Sequence, residues 1–133
     1  MKKVTTLRAG AEFKRTLLHG RRVEGKLLRC YYLTYEDGDP PLQVGYVVSS
    51  GRYNAVRRNR IKRLLRAAVA VEGPFLKEYL ARKRKRLSLI LYFKGGAKHE
   101  VERLKLRAIQ EEVAAMCHAV IVQLEPKKQC QQP

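Results

Sequence analysis

The chain has 133 residues, 45% of them hydrophobic, which suits one ordinary domain with its own core. Its 29 Lys and Arg outnumber 12 Asp and Glu, giving a formal net charge of +17 and a pI near 10.3. A surplus of that size repels itself and calls for a polyanion: nucleic acid first, with an acidic membrane surface or an acidic protein as the other sources of negative charge. No run reaches the roughly 18 apolar residues that span a bilayer, so nothing here spans a membrane and no membrane is expected as a partner.

Residues 1–20 carry Lys2, Lys3, Arg8, Lys14 and Arg15 at short intervals, leaving no apolar stretch for secretion. Phe13, Leu17 and Leu18 recur at helical spacing before Gly20, which predicts a short amphipathic helix over 8–19. Arg22 to Gly25 reads as a short edge strand, and Leu27 to Tyr35 as a longer strand rich in Tyr and Leu. The turn chemistry of residues 36–41 then leads into a strand over Leu42 to Ser49, and the two long strands are expected to pair as an antiparallel hairpin.

Asn54 to Val71 is the most helical stretch. Ile61, Leu64, Leu65 and Ala68 fall at i, i+3, i+4 and i+7, while Asn59, Lys62, Arg63 and Arg66 project to the other side with Arg58 and Arg60 on the flanks. Gly73-Pro74 is expected to end this helix, with Pro74 opening a further short one over 75–81. Five consecutive cations, Arg82 to Arg86, follow. Leu87 to Phe93 is almost continuously apolar, as a strand buried on both faces requires. A last helix is predicted over 99–118, with Val101, Leu104, Ala108, Ala115 and Ala119 inward and Glu100, Glu102, Glu111 and Glu112 outward. Residues 1–122 are therefore read as a single domain, which the charge surplus marks as nucleic-acid-binding and the function assigned below as RNA-binding, and 123–133 as a polar, disordered tail. The element order, α-β-β-β-α-β-α, places the chain in the α+β class, with helices packed on one face of a mostly antiparallel sheet.

Cys30, Cys117 and Cys130 are odd in number and scattered, and His19, His99 and His118 lack ligand spacing. They suggest reduced thiols in a cytoplasmic setting, with neither a zinc site nor a disulfide frame. A protein-only nuclease would need clustered carboxylates to hold paired metals, and the acids here are dispersed.

Function concentrates in residues 57–66, where six of ten side chains are cationic and no acid occurs between Asp39 and Glu72. A solvated surface helix interleaves Glu with Lys. A helix with one apolar face and an unrelieved basic face is instead built to set guanidinium groups on phosphate oxygens. A ribosomal or other structural RNA-binding protein would share this charge, size and element order.

Val44-Gly45-Tyr46-Val47-Val48-Ser49, followed by Asn54-Ala55-Val56-Arg57-Arg58-Asn59-Arg60-Ile61-Lys62-Arg63-Leu64-Leu65-Arg66, resembles the protein subunit of bacterial ribonuclease P. Glu12-Phe13-Lys14-Arg15, Gly20-Arg21 and the strand through Tyr31-Tyr32-Leu33 are similar to that family's opening helix and central strand. The resemblance covers roughly residues 7–118. It implies a fold of the ribosomal protein S5 domain 2-like kind with a left-handed βαβ crossover. It also implies a non-catalytic subunit of an endoribonuclease, in which ribonuclease P RNA and its magnesium remove the 5′ leader of precursor tRNA. No organic cofactor is implied, and no obligatory protein partner is evident. On this reading Arg57, Arg58, Asn59, Arg60, Lys62, Arg63 and Arg66 contact the catalytic RNA, and Phe13, Leu17 and Tyr31 hold the leader. Two departures stand out: Ser50-Gly51-Arg52-Tyr53 replaces a stretch that usually holds two lysines and a glycine, and Leu17 stands where an aromatic is common.

Overall fold

The computed structural model describes residues 4–8, 10–36, 38, 40–48, 53–95 and 104–125. In chain order these form β1 (Thr5–Thr6), α1 (Ala11–His19), β2 (Arg21–Glu24), β3 (Leu28–Tyr35), β4 (Leu42–Val48), α2 (Ala55–Arg82), β5 (Arg86–Phe93) and α3 (Leu106–Leu124). The strands make one five-stranded sheet in the order β1-β4-β5-β3-β2.

The α+β class is as expected, but three features inside it differ. The two long strands β3 and β4 do not form a hairpin. Strand β5 lies between them, antiparallel to β3 and parallel to β4, so β4-α2-β5 is a crossover unit. With β1 parallel to β4 and β2 antiparallel to β3, the sheet is evenly mixed rather than mostly antiparallel. The cause is in β5 itself. Leu87, Ser88, Leu89, Ile90 and Leu91 are all buried, and only a central strand can bury both of its faces. The β3–β4 connection passes the start of β5, where the Leu87 N–H donates to the Pro41 carbonyl at 2.7 Å.

The helices also occupy both faces rather than one. Successive strand side chains point to opposite sides. Leu87, Leu89, Leu91 and Phe93 join Leu28, Cys30, Tyr32, Val44, Ile61, Leu65, Val113 and Val120 in the main core beneath α2 and α3. Ser88, of the other parity, donates its hydroxyl to Glu12 on α1, and Gly45 lies under the Phe13 ring. A methyl group at residue 45 would sit 2.8 Å from Phe13 Cε2, so glycine is what lets α1 approach β4.

Helix α2 runs through Pro74 for 28 residues, where a break and a second helix were expected. Proline withholds one N–H from the helix interior. The apolar stripe outweighs that loss, continuing from Ile61, Leu65, Ala68 and Val69 into Leu76, Tyr79 and Leu80, all buried. Buried Gly73 admits Val4, whose Cγ2 would lie 2.8 Å from an added methyl.

In α3 the inward stripe is Ile109, Val113, Met116, Cys117 and Val120. The expected Ala108 and Ala115 are exposed, Ala119 is half-buried, Leu104 precedes the helix and packs partly on the core, and Val101 lies outside the described residues. The larger apolar side chains gain more from burial than alanines do, so the helix turns them inward. Glu112 is not outward either. Its carboxylate accepts the N–H of Leu27 at 2.8 Å and that of Leu28 at 2.7 Å, tying α3 to the start of β3. The helix extends beyond residue 122. Gln123 accepts the Tyr32 hydroxyl and Glu125 that of Tyr79, so 123–125 belong to the fold. The tail from 126 onward, with Cys130, lies outside the described residues.

Glu12 fastens α1 to the sheet. Arg86 Nη1 lies 2.7 Å from its carboxylate, and the Arg86 guanidinium stacks 4.0 Å from the Tyr35 ring centroid. Partial burial alone would raise the Glu12 pKa, but hydrogen bonds from Ser88 and Arg86 prevail and hold it below the usual 4.5. A depressed carboxylate contributes stability above its unfolded-state pKa and loses it as pH falls through the folded value. Glu12→Gln should therefore lower the melting temperature at pH 7 by about 3–5 °C. Thermal melts followed from pH 7 down to about pH 2 should show the gap closing, and a gap that persists in acid would contradict this role.

Candidate nucleic-acid interface

The start of α2 is fixed from its backbone. Asn54 caps the helix, its side chain accepting the Arg57 N–H at 2.9 Å. No acid stands in the first turn, and Arg57 and Arg58 occupy it instead, against the positive end of the helix dipole. Cations there cost stability unless an anion is bound nearby, and the same dipole then helps to hold that anion.

The six cations divide by role. Arg58 Nη1 donates to the Tyr53 carbonyl at 2.8 Å, and Arg60 Nη2 to the Leu104 carbonyl at 2.7 Å, so these two also anchor the residues just before α2 and just before α3. Arg57 is half-buried. Asn59, Arg63 and Arg66 are exposed and Lys62 half-buried, and helical geometry sets these four along one outward strip. Arg66 stacks 5.4 Å from the centroid of Tyr46, a residue of β4. Burial pushes the Tyr46 hydroxyl up to about 12 even with Arg66 opposing it, so this support stays neutral at physiological pH. Among the described residues, the ion pairs lie elsewhere: on Glu24, Glu12, Glu125 and Glu111. None of them includes Arg58, Lys62, Arg63 or Arg66.

The second candidate group lies on the opposite side of the sheet. Phe13 is half-buried over Gly45; Leu17, one turn further along α1, is 36% exposed; Tyr31 is half-buried, its neighbour Tyr32 pointing into the core. Phe13 and Tyr31 thus share the α1 side of the sheet, with Leu17 on the helix beside them. Two further residues lie on that floor and were not singled out in the sequence. Arg29 donates to the Tyr31 hydroxyl at 3.2 Å, and its guanidinium lies 5.7 Å from the centroid of Tyr92, its register partner on β5. The period of two counted back from Tyr31 could have found Arg29. Tyr92 needed the β3–β5 pairing.

Two thiols are taken up by the core. Cys30 and Cys117 are buried free thiols, both pushed up to about 12 by burial. His19 and His118 are exposed, and His99 lies outside the described residues. Among the described residues, no three His, Cys, Asp or Glu are grouped to hold a metal, and no helix is long and apolar enough to cross a membrane.

Comparison with known proteins gives a single direction. Residues 54–66 and their surroundings fall within a match to the Ribonuclease P family model over residues 1–121. The ribonuclease P protein component of Acidothermus cellulolyticus is 44% identical over 64 residues, covering 48% of this chain and 53% of that protein. The corresponding protein of Bacillus pumilus is 37% identical over 78 residues, covering 59% and 65%. The matches thus span about half to two thirds of these relatives. In structure, the ribonuclease P protein of Thermotoga maritima superposes with a TM-score of 0.69 at 17% identity, over 91% of this chain and 98% of that one. That of Staphylococcus aureus gives 0.61 at 20% identity, over 92% and 97%. The fold is shared with both, and the family model covers nearly the whole chain: it belongs to the ribonuclease P protein family.

Proposed function

We propose that the chain is the protein subunit of a ribonucleoprotein endoribonuclease, binding ribonuclease P RNA through the start of α2 and the 5′ leader of precursor tRNA through the α1 side of the sheet. The observation that carries this reading is the strip of Asn59, Lys62, Arg63 and Arg66, outside every ion pair among the described residues and backed by the buried Ile61 and Leu65. Arg57, Arg58 and Arg60 extend it toward the helix start. Guanidinium forks fit phosphate oxygens two at a time, and a helix packed on a core presents them with little ordering left to do.

The leader role follows from the other face. An extended single strand offers base faces to aromatic rings and phosphates to nearby cations. Phe13, Leu17 and Tyr31 supply the apolar surface, and Arg29, paired with Glu24 at 2.6 Å, stands beside Tyr31 and Tyr92. Among the described residues no three His, Cys, Asp or Glu are grouped to hold a metal by themselves. On the family resemblance, magnesium and the bond-breaking step are assigned to the RNA, and the protein's own work is binding and alignment, in the cytoplasm where precursor tRNA is made.

Because Arg58 and Arg60 also hold backbone carbonyls, the cleaner probe is Lys62→Ala, Arg63→Ala and Arg66→Ala together. This variant should keep its fold by circular dichroism. Its affinity for ribonuclease P RNA should fall by about tenfold or more near 0.15 M salt, with the slope of log K against log salt reduced by about 2–3. An unchanged slope would contradict the assignment. Phe13→Ala should weaken precursor tRNA binding by the holoenzyme about fivefold or more while sparing mature tRNA, as loss of one stacking face predicts. Equal losses for the two tRNAs would contradict the leader role.

A further inference from the structure

The run Arg82 to Arg86 is not used by either surface above, and its backbone is unusual. Helix α2 ends in a Schellman arrangement: the Lys85 N–H donates to the Leu80 carbonyl at 2.9 Å and the Arg84 N–H to that of Ala81 at 3.2 Å. Such an ending needs one residue in the left-handed region, a place glycine fills without strain. Here it is Arg84, at φ 55°, the one non-glycine residue with positive φ among those described. An arginine therefore stands where glycine would be more stable.

The neighbouring charges show which cations are available. Arg86 is committed to Glu12 at 2.7 Å, and Lys83 faces Glu125 at 3.9 Å and the Tyr79 ring at 5.8 Å. Arg82, Arg84 and Lys85 enter no ion pair among the described residues, and Arg82 and Arg84 are exposed. A cation in the last helical turn is favoured by the dipole, which accounts for Arg82. It does not account for Arg84, beyond the helix, in a conformation that penalises its side chain. Strain retained at an exposed charge points to a ligand for that charge.

We propose that Arg82, Arg84 and Lys85 form a second RNA-phosphate contact, gripping ribonuclease P RNA at a point remote from the arginine-rich start of α2. This inference rests on the reading given under Proposed function. The first cluster sits at the start of the 28-residue helix and the second at its end, so roughly 30 Å separates their centres at 1.5 Å per residue. That is several times the Debye length of about 8 Å at physiological salt, and each cluster must meet its own phosphates. A large folded RNA can reach both ends. Although Arg86 reaches α1 through Glu12, the run leaves the end of α2, which packs on the sheet face opposite the leader surface, and this favours the catalytic RNA over the leader as occupant.

Conformation and charge separate cleanly at residue 84. Arg84→Gly should raise the melting temperature by about 2–5 °C. The same change should weaken binding of transcribed ribonuclease P RNA about threefold or more and lower the salt slope by about 0.7–0.9. Arg84→Lys, which keeps charge and strain, should stay close to wild type in both. Arg84→Gly binding the RNA as tightly as wild type, equal losses in the glycine and lysine variants, or a loss confined to precursor tRNA would each overturn the proposal. The Lys62/Arg63/Arg66 alanine variant runs in the same titration. If it weakens while Arg84→Gly does not, only this second contact fails; if it binds like wild type, the RNA-subunit reading falls and this contact with it.

Discussion

Strand β5 cannot expose either face. Five consecutive buried residues, Leu87 to Leu91, force it to the middle of the sheet and oblige the chain to cover both sides. From that follow the insertion of β5 between β3 and β4, the α2 crossover that returns the chain to it, and the division of the helices, α2 and α3 on one face and α1 on the other. The two candidate surfaces are consequences of this division. One face carries the cationic helix; the other carries an aromatic floor beside α1.

Electrostatics then works against folding in a way that a partner resolves. A net charge of +17 is self-repelling, and cations at the start of α2 oppose its dipole. The packed stripe from Ile61 to Leu80 holds the helix in place regardless. Hydrophobic burial thus keeps in register a row of charges that would otherwise spread apart. Tyr46 beneath Arg66, and the carbonyls of Tyr53 and Leu104 against Arg58 and Arg60, orient part of that row before any RNA arrives. Ordering done in advance is entropy not lost on binding.

The legible parts of the sequence were those decided locally. The stripe of Ile61, Leu65 and Ala68, the cations opposite it, the two-sided character of Leu87 to Phe93 and the stop at Gly20 each depend on near neighbours in the chain, and all are seen in the structure. What was hidden depended on distant ones. Pairing β3 with β4 is the local choice, overridden by a strand some forty residues downstream that needs the central place. Pro74 reads as a stop until Leu76, Tyr79 and Leu80 are known to face the same core as Leu65. The alanines of α3 follow a helical period as well as Ile109 and Val113 do, and only the volume to be filled decides between them. Tyr92 came to the candidate leader surface by the same non-local route, through its register with Arg29.

On the function proposed above, this chain completes an RNA enzyme and performs no bond cleavage itself. The most direct test mixes the purified protein with ribonuclease P RNA from the same organism and a precursor tRNA at low magnesium, and separates the products on a denaturing gel. Release of an intact 5′ leader only when protein and RNA are both present is the predicted result. No cleavage from the pair, or cleavage by the protein without the RNA, would contradict it.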